Sequence, residues 1–171
     1  RKMIPFDPLT PIDADGKVKG EVKEILDLIA QYDVILAGGH LHISEILPVF
    51  EEAKSRGVKR LLVNHPSFIV DATHEDIRRL VTMGAYIEHS LCMFIPVAKR
   101  KRDPFPPEDL HELIQSGTVD RTILASDLGQ RGADHPVAGF RNVIRICIKL
   151  GYSDEDIRKM VSSNALQLLG L

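Results

Sequence analysis

Four short apolar segments of this chain run directly into side chains that can bind a metal ion or move a proton. Each apolar segment has the character of a buried strand, and the carboxyl ends of parallel strands form the ligand-binding edge of α/β proteins. We therefore expect each strand to bring an imidazole or a carboxylate to one shared edge. The polar segments are Gly38-Gly39-His40-Leu41-His42, Asn64-His65-Pro66, Glu88-His89-Ser90 and Ser126-Asp127-Leu128-Gly129-Gln130.

The residue types in these segments suit a metal centre. Neutral imidazole and carboxylate are ordinary ligands of zinc and similar divalent ions, and a bound ion lowers the pKa of its water toward about 7. Asp127 is the best candidate to accept a proton from that water and return it to a leaving group. If the first strand extends through His40 and His42, both face one side, one as a ligand and the other as a substrate contact. A single histidine is more often structural. Polar endings on all four strands, in a chain with only seven histidines, are an unlikely coincidence and favour a metal or catalytic site.

The elements that must carry these side chains alternate along the chain. Short apolar runs predict strands, and apolar residues at helical spacing predict helices, with Thr73 and Ser153 as N-caps. The predicted strands cover 34–37, 60–63, 85–87 and 122–125, and the predicted helices cover 21–32, 43–56, 73–83, 107–115, 137–150 and 154–169.

Alternating strands and helices, with strands that are apolar throughout, are typical of a parallel sheet covered by helices. We predict a single α/β domain over 1–171, with a lead-in loop at 1–20 and barrel-type βα units over 21–171. A full (β/α)8 barrel needs about 250 residues, so four units correspond to half of one. A small open doubly wound sheet is the alternative. A half barrel would expose two sheet edges, so we expect its other half to come from a second chain, as in a homo-oligomer, or from another part of a parent protein.

Composition excludes several classes of protein. The net charge of −2 and the 44% hydrophobic content are ordinary for a soluble domain and give no general attraction to nucleic acid or membrane. No apolar run is long enough to span a bilayer. The basic run at 99–102 is interpreted as a solvated loop. Cys92 and Cys147 are too few for a secreted disulfide scaffold, which favours a cytoplasmic protein with reduced thiols.

Taken in order, the strand ends resemble the amidohydrolase superfamily of metal-dependent (β/α)8 barrels, and more narrowly an uncharacterised amidohydrolase-like family. The similarity covers 33–171 and would make this chain the carboxyl-terminal half, strands five to eight. It rests on Gly39-His40 followed by Glu45, Asn64-His65-Pro66, Ala85-Tyr86-Ile87-Glu88-His89, Ser126-Asp127-Leu128-Gly129-Gln130, and a tail from Gly151-Tyr152-Ser153 to Leu168-Leu169-Gly170.

The resemblance implies a ligand set. His40 matches the fifth-strand histidine ligand, His65 the sixth-strand histidine, and Asp127 the eighth-strand aspartate. The ion would be zinc, with manganese, iron or nickel as alternatives. Glu88 falls on the seventh strand, where the superfamily usually has no ligand. The superfamily's first-strand His-x-His pair and its fourth-strand acid or lysine have no counterpart here.

The expected function is metal-dependent hydrolysis of an amide, ester or phosphoester bond in a small substrate. A metal-dependent decarboxylase on the same scaffold is the enzymatic alternative. A non-catalytic barrel fragment that acts as a structural or assembly partner is the alternative from a different class. The residues expected to contact substrate or to support the ligands are His42, Glu88, His89, Ser126 and Gln130.

Overall fold

The computed structural model describes residues 9–67, 69–95, 103–130 and 132–171. The basic run at 99–102 lies outside the described residues. Strands and helices alternate as the sequence predicts. The strands are β1 (Leu36–Ala37), β2 (Leu61–Asn64), β3 (Tyr86–Ser90) and β4 (Thr122–Ala125). The helices are α1 (Gly20–Gln31), α2 (Ile43–Ser55), α3 (His74–Thr82), α4 (Pro107–Gly117), α5 (Pro136–Lys149), α6 (Asp154–Arg158) and α7 (Asn164–Leu169), with a π-helical turn at Lys159–Ser163 and short 3-10 turns at Leu91–Met93 and Val119–Arg121.

The four strands form one parallel sheet in the order β1-β2-β3-β4. This confirms the predicted α/β class and the parallel pairing. Within the described strands the spatial order follows the chain without the reversal that marks a doubly wound sheet. The register places Asn64 beside Glu88 and Ser90 beside Ala125, so the ends of neighbouring strands lie level with one another.

The two faces of the sheet are covered differently. Side chains alternate between the faces along each strand. One face packs into the main apolar core, and the other forms a small cluster with Leu168 of α7. Asn64 and Glu88 lie on this second face, nearer the carboxyl ends, and are half-buried. The residues of the first face are Leu61, Val63, Ile87 and Leu124, and those of the second cluster are Leu62, Tyr86 and Ile123.

Hydrogen bonds fix the carboxyl-terminal helices at the other end of the sheet, where the strands begin. The buried Asn164 amide donates to the backbone carbonyls of Val119 and Thr122, at 2.8 and 2.7 Å. The Tyr86 hydroxyl donates to Gln167 at 2.9 Å, and Arg60 donates to the Leu169 carbonyl at 2.8 Å. This arrangement leaves the carboxyl edge, with the candidate site, clear of α7.

Local chemistry explains where the elements begin and end. Thr73 and Ser153 are N-caps, as predicted, and each also forms a capping box with the aspartate three residues later. Strand β1 is shorter than the predicted 34–37 because residues 33 and 34 still take part in the turn that ends α1. Asp33 has a φ of +48°, and the Val34 amide donates to the Ile29 carbonyl in the last turn of that helix. No helix in the described part of the chain combines the length and the apolar character that crossing a bilayer would take.

Candidate active site

The sheet brings the predicted strand-end residues to one edge. His65 directly follows β2, and Asp127 follows β4 by two residues. His40 follows β1 after two glycines, of which Gly39 takes a φ of +58° and turns the chain. The strand therefore ends at Ala37 and does not extend through His40 and His42, so the two rings do not share a strand face.

His40 and His65 form the centre of the site. Their ring centroids are 5.0 Å apart and the ring planes are tilted by 58°. Two imidazoles bound to one zinc ion through nitrogens at 2.0–2.1 Å place their ring centres roughly 5 Å apart. The spacing of these two rings therefore matches that of a shared divalent ion.

The surroundings of His65 constrain its ring. The Ser90 hydroxyl is hydrogen-bonded to Nδ1 of His65 at 2.6 Å. Burial lowers the pKa of His65, the negative charge of Asp127 acts in the opposite direction, and His40 lowers the pKa further. His40 and Asp127 are thus both within electrostatic reach of His65, although the three residues come from three different strand ends.

Asp127 is held from the turn that follows β3. The Cys92 thiol donates to Oδ2 of Asp127 at 3.2 Å, and the Cys92 backbone amide donates to the Ser126 carbonyl at 3.1 Å. Asp127 has a φ of +46° and is exposed, so its carboxylate is open to solvent and to a ligand.

Glu88 provides a second carboxylate, on the face of the sheet opposite the main apolar core. Its Oε2 accepts a hydrogen bond from the Asn64 amide at 2.9 Å. Burial raises the pKa of Glu88, the Asn64 hydrogen bond opposes this, and the charge of Asp127 raises it further. The site therefore has two carboxylates in different environments, Asp127 exposed and Glu88 half-buried.

The other predicted residues have different positions. His42 is the N-cap of α2, where its ring accepts from the Ser44 amide, and its Nε2 lies 3.6 Å from Asp71. His89 alternates with Glu88 and Ser90 along β3, so it faces the opposite side of the sheet, and it is 2% exposed. Neither residue joins the His40–His65 pair.

Ser126 and Gln130 lie in the loop that follows β4. The Ser126 hydroxyl accepts from the Leu128 amide at 3.4 Å, and Gln130 is exposed, with its backbone carbonyl accepting from Ala133. Ser126 supports the turn that carries Asp127, while the structure gives the Gln130 side chain no contact with the histidine pair.

The structure brings together two of the three predicted metal ligands, His40 and His65. Within the described ranges, no three His, Cys, Asp or Glu side chains come close enough together to hold a metal ion. The donor chemistry and the spacing of His40 and His65 fit a divalent ion, and Asp127 lies within electrostatic reach of His65. The residues thus fit the imidazole part of such a centre, and a complete donor set requires a further ligand.

The sequence assigned no role to Ser90, Cys92 or Asn64. The structure shows them hydrogen-bonded to His65, Asp127 and Glu88, respectively. Alternation along β3 was the available signal for Ser90, because Ser90 shares a face with Glu88. Cys92 lies beyond the strand in the 3-10 turn at Leu91–Met93, so no periodicity pointed to it.

A comparison with protein families finds one match. A model described as a family of unknown function (DUF6282) matches residues 3–88, which is half of the chain. The chain belongs to this family. The part matched by the DUF6282 model contains His40, His65 and Glu88, and it ends within β3, before Ser90, Cys92 and Asp127. No curated protein and no solved structure matches the chain.

Proposed function

We propose that this DUF6282 chain is the catalytic-site half of a metal-dependent hydrolase of the amidohydrolase type. The observation that carries the proposal is the His40–His65 pair, with ring centres 5.0 Å apart at neighbouring strand ends. The electrostatic coupling of His65 to both His40 and Asp127 supports it. These are the three residues that the resemblance to the superfamily selects as ligands.

The proposed architecture is half of a (β/α)8 barrel. Parallel strands that follow one another in chain order, joined by right-handed crossovers, place their connecting helices on one face of the sheet. The other face then becomes the inside of a barrel. In support, the main core lies against one face, while Asn64 and Glu88 lie half-buried on the other. Both β1 and β4 are edge strands among the described elements, so a second set of βα units would complete the barrel.

In the proposed centre, His40 and His65 would bind the ion through imidazole nitrogen, and Asp127 and the completing half would supply the remaining donors. A bound zinc ion, or another divalent ion, would activate a water molecule for attack on an amide, ester or phosphoester. Because Cys92 donates to Oδ2 of Asp127, we assign the role of proton acceptor to Oδ1. Asp127 then returns this proton to the leaving group.

Glu88 and Asn64 have a separate role in the proposal. The two side chains are hydrogen-bonded to each other on the face of the sheet opposite the main apolar core. Burial and the nearby Asp127 raise the pKa of Glu88, while the Asn64 hydrogen bond lowers it, so this carboxyl group is tuned by its surroundings. We assign this pair to substrate binding.

Metal titration tests the proposal directly. We expect the purified chain, prepared without chelator, to bind Zn²⁺ saturably in isothermal titration calorimetry. His40→Ala and His65→Ala should each weaken binding by at least about tenfold, since each removes one imidazole ligand. His74→Ala is the matched control, because His74 lies at the start of α3 and is hydrogen-bonded to Ser116 instead.

The opposite result would favour the non-catalytic alternative. Metal below a tenth of an equivalent in the purified protein, together with Zn²⁺ titrations that do not distinguish His65→Ala from His74→Ala, would overturn the proposal. The chain would then be a structural or assembly unit.

A further inference from the structure

The end of β3 contacts both His65 and Asp127, although it contributes no imidazole to the pair. Ser90, which ends the strand, is 3% exposed, and its hydroxyl lies 2.6 Å from Nδ1 of His65. Cys92, two residues later, is 1% exposed, and its thiol donates to Oδ2 of Asp127 at 3.2 Å. One short segment therefore bridges the ends of β2 and β4.

The Ser90 contact selects one nitrogen of the His65 ring. A hydrogen bond at Nδ1 leaves Nε2 as the nitrogen that a ligand can reach, and it fixes the ring orientation at the same time. Since the centroids of His65 and His40 are 5.0 Å apart, this orientation decides whether the two rings can serve one ligand.

The Cys92 contact fixes the orientation of the Asp127 carboxylate in the same way. The thiol holds Oδ2 of Asp127, and the Cys92 backbone amide is bonded to the residue before Asp127, at 3.1 Å. Side chain and backbone of Cys92 together attach the end of β4 to the end of β3.

Both held residues need such support because of their backbone. His65 and Asp127 have φ angles of +50° and +46°, in the left-handed region that residues other than glycine rarely adopt. A conformation of this kind persists only where neighbouring groups hold it. Asn64 gives His65 no such contact, since its amide donates to Glu88.

We propose that Ser90 and Cys92 are the positioning residues of this site. Ser90 aims Nε2 of His65 toward His40, and Cys92 fixes the Asp127 carboxylate beside them. The inference rests on the proposed function for the identity of the ligand, but the two contacts exist without it. Hydrogen-bond partners of metal-binding histidines typically change metal affinity by 10–100-fold when they are removed.

Paired variants at each position test the proposal. We expect Ser90→Ala to weaken Zn²⁺ binding by about 10–100-fold, and Ser90→Thr, which keeps the hydroxyl, to restore most of it. Cys92→Ala should weaken binding, while Cys92→Ser, which keeps a donor, should not. The matched control is Ser116→Ala, because Ser116 makes the same kind of bond to a histidine, 2.8 Å from Nδ1 of His74, away from the site.

A second readout needs no metal. In the metal-free protein, the ring nitrogen resonances of His65 should move in Ser90→Ala and return in Ser90→Thr, while Ser116→Ala moves only those of His74. Urea unfolding checks that each variant is folded. Zn²⁺ binding by the parent with equal affinities for Ser90→Ala, Ser90→Thr and Ser116→Ala would overturn the inference. If the parent binds no Zn²⁺, the proposed function fails, and the His65 resonances alone decide: unchanged spectra in Ser90→Ala overturn the positioning role.

Discussion

At the scale of single residues, His89 is a buried histidine that the candidate site does not use. It is 2% exposed, and among the described residues its Nε2 has no hydrogen-bond partner. Burial lowers its pKa to about 4, so the ring is neutral at pH 7. Burial disfavours the charged form of the ring, so protonation of His89 destabilises the fold. His89 is therefore a source of acid sensitivity.

The stability of the fold should therefore depend on pH through His89. The pKa is near 6.5 in the unfolded chain and about 4 in the folded chain, so the unfolded state binds more protons between these values. The free energy of unfolding should fall as the pH is lowered from 6.5 to 4, by at most about 1.4 kcal/mol per pH unit. Urea unfolding at a series of pH values measures this slope.

Replacing the ring isolates its contribution. His89→Leu should flatten the slope in this window, although not fully, because burial also lowers the pKa of His65. Equal slopes in the parent and in His89→Leu would show that His89 is not the source.

At the scale of elements, helix α3 begins at the predicted N-cap Thr73, which the structure shows as part of a capping box. The Thr73 hydroxyl accepts from the Asp76 amide at 3.2 Å, and the Asp76 carboxylate accepts from the Thr73 amide at 2.9 Å. Thr73→Ala removes the hydroxyl, so the Asp76 amide loses its side-chain acceptor, and we expect the free energy of unfolding to fall by about 1 kcal/mol. Thr82→Ala, at the exposed end of the same helix, should change it by less than about 0.5 kcal/mol. Similar urea midpoints for the two variants would contradict the capping role.

Local patterns along the chain predict the elements well because their causes are local. Apolar runs identify all four strands, and caps such as Thr73 and Ser153 need only a residue three positions away. Residue Val34 shows the limit: its apolar character predicts a strand, but its amide completes the end of α1. The role of His42 was missed for a similar reason, since its ring caps a helix that begins one residue later.

The sequence predicts which strand ends carry the residues of the candidate site. It does not predict the hydrogen bonds between them. The parallel order of the strands brings His40 beside His65 and places Asp127 within electrostatic reach of His65. The contacts that hold them join residues 25 and 35 positions apart, Ser90 with His65 and Cys92 with Asp127. Such pairs depend on strand register and on the turn after β3, which no single-segment pattern contains.

At the scale of the whole molecule, the sheet has two edges among the described elements, β1 and β4. Unpaired backbone groups at a sheet edge are available to another strand. In the proposed half barrel, the groups of β4 that point away from β3 pair with a strand from the completing βα units. The sheet edge and the incomplete donor set would then have one common cause, the absence of the same partner strands.

Hydrogen exchange followed by mass spectrometry can test this pairing. In the isolated chain, we expect slow exchange in β2 and β3, which have neighbours on both sides, and faster exchange in β4. In a longer polypeptide that carries four additional βα units, or in a self-associated form of this chain, β4 should become as protected as β3, because its outward amides gain partners. Zn²⁺ affinity should rise in the same preparation, since the completing half supplies the further ligand. Exchange in β4 that stays fast in a preparation with full Zn²⁺ affinity would contradict the half barrel, because the site would then be complete without closure of the sheet.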